Sequence, residues 1–199
     1  MKPGTYGIAL CLIHALVAVA SGATINASTC ERAAVEAAIT AARDGDTVRL
    51  PAGRCTWTKT VVVGDPTTYT ATKALVLQGA GIGQTIIVDG TDKEDSQRVD
   101  ANFLSNVLAI FTKPGALNRV TGITFDGGTG PGDPYNKGMV LLRGSAKTWR
   151  LDNCHFLSTR TSALHVYVSG GVVDHNIFDV LHIDPGGVKR VALWAQWGR

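Results

Sequence analysis

The sequence has no run of Lys or Arg, few aromatic residues, and no long apolar stretch beyond its first two dozen positions. Each absence excludes something. A formal charge of +3 without a basic cluster leaves no electrostatic footprint for nucleic acid. No segment after residue 23 is apolar over the ~20 residues a membrane-spanning helix needs, so the mature chain carries no stable membrane anchor. Charged residues make up only 18% of the chain and hydrophobic ones 45%, which is enough apolar material for a core and argues against wholesale disorder. No two cysteines are close in sequence, and a zinc site is therefore not indicated.

What the chain does have is glycine, 23 in 199 residues, set among Val, Thr and Leu. This is a β composition with many tight turns. Residues 1–23 read as a secretory signal peptide. Lys2 supplies a positive start, Ile8 to Ala20 an apolar stretch broken by His14, and Ala18-Val19-Ala20 or Ser21-Gly22-Ala23 the small residues for cleavage. The alternative for this segment is a buried N-terminal helix. Export places the mature domain, 24–199, in a secreted, extracellular, periplasmic or cell-surface setting, where disulfides persist. Cys11 leaves with the signal. Cys30 and Cys55 flank a compact helix–strand unit and are candidates for a bridge, whose loop of about 25 residues would contribute about 3 kcal/mol. Cys154 would then be a buried thiol.

The single helical period comes first. Val35, Ala38, Ile39 and Ala42 share one face, predicting a helix over about 30–44, capped by Ser28 or Thr29, with Glu31 in its first turn and Gly45 ending it. Asp46 to Gly53 then reads as a short strand closed by a Pro/Gly turn. Afterwards only short Val, Ile, Leu and Phe strands follow, and they repeat. Arg119 to Asp126, Arg150 to Leu157 and Val172 to Asp179 each carry an aliphatic residue near their start, Val120, Leu151 and Val173, and a Phe at the same offset. Phe125, Phe156 and Phe178 recur at steps of 31 and 22 residues, the length of a solenoid repeat. Alternation fails at Gly122, Asn153 and His175, residue types that tolerate left-handed backbone, which predicts a bend between two strands there. A further strand precedes each pair: Met139 to Arg143, Leu164 to Val168, and Val191 to Trp194. Three parallel strands per repeat make an all-β, right-handed parallel β-helix. Stacking is expected to align Ile123, Cys154 and Asn176 in one column and the three phenylalanines in another.

Val35 to Ile39 with Gly45 to Gly53 resembles the N-terminal cap of pectate-lyase-like β-helix proteins. Leu75 to Gly81 with Thr85-Ile86-Ile87 resembles their first full coil. The resemblance implies a capping helix over the open end of the stack. It also implies a working groove above the first strand of each coil, on polysaccharide or cell-surface glycan. For lyase chemistry it implies Ca²⁺ held by several Asp, although clustered Asp on consecutive first strands are absent here. The chain stops at Trp194 to Arg199, in or just after a strand, so a further chain segment or a subunit is expected to cover that end.

If Val140, Leu142, Leu164, Val166, Val191 and Leu193 point inward, the outward set is Leu141, Arg143, His165, Tyr167, Ala192 and Trp194, with Phe111 extending it. Arg143, His165, Tyr167 and Trp194 are the candidate substrate-binding residues. Rings stack on pyranose faces and Arg pairs with uronate carboxylates. No catalytic residue stands out. The hydrolase signatures Asn-Thr-Asp and Gly-His-Gly are missing, and Asp126, Asp133, Asp174, Asp179 and Asp184 lie in turn contexts that read as structural. His155, His165 and His175 are ten residues apart but fall on different surfaces, against one metal site; His182 sits in a loop. The Gly79 to Gln84 run precedes a strand rather than a helix and is no dinucleotide loop. Asn26-Ala27-Ser28 is a glycosylation sequon. Two functions follow: a secreted carbohydrate-active protein, such as a polyuronide lyase or hydrolase, or a non-enzymatic adhesin or structural module.

Overall fold

A computed structural model describes residues 22–91, 106–128, 138–144, 148–157, 162–167, 170–179 and 193–195. Residues 1–21, most of the expected signal peptide 1–23, and His182, Asp133, Asp184 and Ala192 lie outside these residues. Apart from one helix, the regular elements of the described chain are all short strands. The first elements are β1 (Thr24–Asn26), α1 (Arg32–Ala41), β2 (Thr47–Arg49), β3 (Gly53–Trp57) and β4 (Val61–Val63). Next come β5 (Val76–Gln78), β6 (Thr85–Asp89), β7 (Leu108–Thr112), β8 (Asn118–Thr121), β9 (Thr124–Asp126) and β10 (Val140–Gly144). The remainder are β11 (Trp149–Asp152), β12 (His155–Leu157), β13 (Leu164–Tyr167), β14 (Val172–Asp174), β15 (Ile177–Asp179) and β16 (Leu193–Ala195).

β1 pairs with β2, and from β2 to β13 each strand pairs with the third one after it; all these pairings are parallel. The first sheet has the order β1-β2-β5-β8-β11-β14, the second β4-β7-β10-β13-β16, and the third β3-β6-β9-β12-β15. The chain visits the three sheets in turn and rises one strand at each visit. Three strands per repeat is the period expected from the Phe spacing. Register is set by what points inward. Cys55, Ile87, Phe125, Phe156 and Phe178 are consecutive partners in the third sheet. The Phe156 ring stacks 5.4 Å from Phe125 and 5.1 Å from Phe178. Val48, Leu77, Val120 and Leu151 form the matching column of the first sheet, all buried.

The bends are where residue type placed them. Gly122, Asn153 and His175 have φ of 70°, 51° and 53°, the left-handed region, and occupy equivalent positions between first- and third-sheet strands. Asn153 bonds the Asp152 carboxylate at 2.7 Å and His175 bonds that of Asp174 at 2.7 Å, so each non-glycine bend has a local polar partner. The layers approach closely at this corner. A Cβ on Gly79 would lie 2.2 Å from the Gly122 carbonyl oxygen, which leaves room only for glycine. Ile123 and Cys154 are buried as expected, whereas Asn176 is half-buried. Its amide works instead as backbone glue: Oδ1 accepts the Cys154 N–H at 2.9 Å and Nδ2 donates to the Leu151 carbonyl at 2.9 Å.

Helix α1 turns Val35, Ala38 and Ile39 into the core and packs against β1 to β4. Its ends differ from expectation. The N-cap is Glu31 rather than Ser28 or Thr29, and no side chain closes it; Thr29 instead accepts the Glu31 N–H at 3.2 Å. Gly45 is left-handed but lies in the following turn. The C-terminal carbonyls are met by Lys73, whose ammonium donates to Ile39, to Thr40 at 3.3 Å and to Ala42 at 2.9 Å. A cation there also complements the helix dipole. Cys30 and Cys55 are bridged, joining the helix entry to β3. The fully buried Trp57 donates its indole N–H to the Cys30 carbonyl at 2.9 Å beside the bridge.

Candidate functional site

Parallel pairing brings the sequence-derived candidates onto one outward face. Arg143 in β10 pairs with Phe111 in β7 and Tyr167 in β13. His165 pairs with Leu141 on one side and Trp194 on the other. Trp194 is placed by this register alone. The face is not the open strip that alternation predicted. Ala109, Phe111 and Leu141 are fully buried and form a second apolar cluster with Val62 and Tyr167. His165 is only 6% exposed, its ring edge-on to Tyr167 at 5.9 Å.

Part of the cover comes from the segment between β4 and β5, to which sequence reading assigned no role. Gly64, with φ of 95°, lets the chain leave β4 directly over Phe111; a Cβ there would sit 2.8 Å from the Phe111 Cβ. The segment then doubles back through the Asp65–Thr70 bridge. The Asp65 carboxylate accepts the Thr67 N–H at 2.7 Å and the Thr68 hydroxyl at 2.9 Å, bonds that hold it below the usual carboxylate range. This turn ends in Tyr69, whose φ of 56° is unusual for a bulky residue. Its ring rests 6.1 Å from Phe111 and lies under the Arg143 guanidinium, 3.6 Å from the ring centroid. Tyr167 flanks the same guanidinium at 5.6 Å.

The result is a cleft of about 310 Å³ lined by Thr68, Tyr69, Thr70, Arg143, Gly144 and Tyr167. That volume is within the range of about 300–1,000 Å³ that small-ligand sites occupy. Two of the four candidates, Arg143 and Tyr167, line it. His165 is buried beneath the same face. Tyr69, Thr68 and Thr70 were missed; their only signal in the sequence is an aromatic residue inside a threonine run.

The other polar groups serve the frame. On the first sheet Arg119 makes two bonds to Asp152, at 2.7 and 2.6 Å, and Arg150 makes two to Asp174, at 3.1 and 2.7 Å. Burial is the largest single influence on the Asp152 carboxyl and would raise it, but the Arg119 hydrogen bonds, the charges of Arg119 and Arg150 and the Asn153 bond together outweigh it and hold it low. His175 and Arg150 hold Asp174 low. Asp126 accepts from Arg54 at 2.7 Å and from the Gly128 N–H at 2.9 Å, and Asp179 bonds His155 at 2.8 Å. Burial pushes the Cys154 thiol up to about 12, which makes it a poor nucleophile at neutral pH.

His155, His165 and His175 lie in the third sheet, in the second sheet and at a bend, respectively. Among the described residues no three of His, Cys, Asp and Glu gather as metal ligands would. Calcium takes six to eight oxygens, chiefly carboxylate and carbonyl. The described lining of the cleft offers hydroxyls, phenols and a guanidinium, a set that does not fit this cation. Comparison with protein-family models, with curated proteins and with solved structures found no match. The disulfide fits an oxidising, non-cytoplasmic setting. Among the described residues no helix is long and apolar enough to cross a membrane.

Proposed function

We propose that the protein is an exported β-helix that binds acidic glycan at the Arg143 cleft. The observation that carries this reading is the Arg143 guanidinium set between the rings of Tyr69 and Tyr167 in a cleft edged by threonine hydroxyls. Stacking fixes the guanidinium plane, and a planar fork of N–H donors suits a carboxylate such as that of a uronate. Aromatic faces and hydroxyls suit pyranose rings. The stack is right-handed in this reading, because parallel crossovers in one sheet are right-handed in about 98% of cases. Helix α1 caps its N-terminal end, and residues 1–23 direct export. Trp194 joins the site as a further stacking residue.

Polyuronide lyase or hydrolase action is the enzymatic form of this proposal. The other form is a binding or adhesive module; the described lining offers the phenols of Tyr69 and Tyr167 as its groups able to move a proton, and the two forms are separated by assay. Calorimetric titration of the mature protein with oligogalacturonides and with neutral oligosaccharides tests the binding. Tighter binding of the acidic series, lost in Arg143→Ala, is the expected result; equal affinity for both series, or unchanged binding in the variant, overturns it. Unsaturated uronide products or new reducing ends, assayed with and without Ca²⁺, would establish the enzymatic form.

A further inference from the structure

A second cleft, of about 460 Å³, opens on the other side of the 64–73 segment, between that segment and α1. Thr68 and Thr70 line both clefts. They form a ridge of fixed shape: the Asp65 N–H donates to the Thr70 carbonyl at 2.8 Å, and the two threonine hydroxyls lie 3.0 Å apart. The chemistry differs across the ridge. On one side stand a guanidinium and two phenol rings. On the other, Thr72 adds a hydroxyl and Thr40, whose hydroxyl donates to the Glu36 carbonyl at 2.8 Å, an acceptor oxygen, beside the apolar residues Ile39 and Val62. The charges on that side are Asp65 and Lys73. The Lys73 ammonium is spent on the carbonyls ending α1, and the Asp65 carboxylate disfavours an anion. The second cleft therefore suits an uncharged, hydroxyl-rich unit.

We propose that the two clefts are adjoining subsites of one site. Its ligand is a linear glycan that crosses the Thr68–Thr70 ridge, with an acidic unit at Arg143 and a neutral unit in the threonine cleft. This deepens the glycan reading and rests on it. The preferred ligand is then a chain alternating uronate with neutral sugar, rather than a uniform polyuronide or a single sugar.

Calorimetry with glucuronate, galacturonate, a galacturonate tetrasaccharide, and tetrasaccharides of hyaluronan and rhamnogalacturonan tests this, since the last two alternate acidic and neutral units. At least one alternating tetrasaccharide should bind about tenfold tighter than its own uronate monosaccharide and tighter than the uniform tetrasaccharide. Thr72→Val, alone and with Thr40→Val, keeps side-chain shape and removes hydroxyls. It should lower alternating-tetrasaccharide affinity about fivefold and leave monosaccharide affinity unchanged, with thermal melts confirming an intact fold. If acidic sugars bind but the alternating chains gain nothing, or gain affinity that the threonine variants do not touch, the two-subsite inference is overturned and the glycan reading stands. If no acidic sugar of either length binds the wild-type protein, both fall together.

Discussion

On the first sheet, Arg119 and Arg150 each reach forward one layer and close two bonds on an aspartate. On the second sheet, Arg143 sits between tyrosine rings at the edge of a cleft. The same residue type in the same fold thus has two surroundings. The ladder arginines satisfy an otherwise costly carboxylate, Asp152, which is fully buried. Their charge is consumed within the protein, and the layers are tied together along the stack. The Arg143 guanidinium packs on aromatic faces at a concavity, and the proposed recognition role rests on that placement.

This contrast can be tested from the frame outward, and the largest effect belongs to the core beneath both faces. Phe156 is fully buried and stacked on both sides. Phe156→Ala should cost about 3–5 kcal/mol in denaturant unfolding. Phe178→Ala should cost less, because Phe178 is half-buried in the last described strand of the third sheet. Equal losses would mean that the column continues with the same burial beyond Phe178.

Breaking the ladder should come next. Asp152→Ala removes a bidentate partner of Arg119 and should destabilise by about 2–3 kcal/mol, while Arg143→Ala should leave stability nearly unchanged. If the two cost the same, Arg143 belongs to the frame after all. The ladder also predicts acid sensitivity. Asp152 and Asp174 have carboxyls held below their ordinary value in the folded state. Their contribution is present above the unfolded value, about 3.9, and is lost as pH falls through the lower folded values. Stability of the wild type should therefore decline below about pH 4, and Asp152→Ala should flatten that decline. An identical acid profile in the two proteins would remove the ladder from the account.

The fold was more legible than the site, and the reason is physical. Inward residues repeat because each must fill the space above its predecessor, so Phe125, Phe156 and Phe178 announce their register. The left-handed bends were legible because few residue types tolerate them. Asn153→Ala should accordingly cost about 1–2 kcal/mol, and Asn153→Gly less, measured by thermal melts. Outward parity brought Arg143 and Tyr167 together correctly. It could not report that Phe111 and His165 are buried, because the cover comes from other parts of the chain. Tyr69 left no trace in any periodic pattern, since a single turn repeats nothing. The helix stop was misplaced for a similar reason: Lys73 is 31 residues away from the Ala42 carbonyl it meets.

The smallest effect is the most specific test of the contrast. Tyr167 contributes a ring to the Arg143 stack and an edge to His165. Tyr167→Leu keeps an apolar body but removes the quadrupole that attracts the cation. At a partly exposed site this is worth about 0.5–1 kcal/mol, so uronate binding should weaken by about two- to fivefold. Tyr167→Phe keeps the ring and should lose less. Stability should barely change in the Phe variant, since the ring still packs beside Phe111 and Leu141. A matched neutral sugar separates two ways of losing affinity. If Tyr167 acts by holding the Arg143 plane for a carboxylate, the Leu variant should lower the acidic-to-neutral preference. If it acts only as a stacking surface for the sugar ring, both affinities should fall together and the preference should stay the same. The second outcome would leave Tyr69, at 3.6 Å, as the ring that orients Arg143.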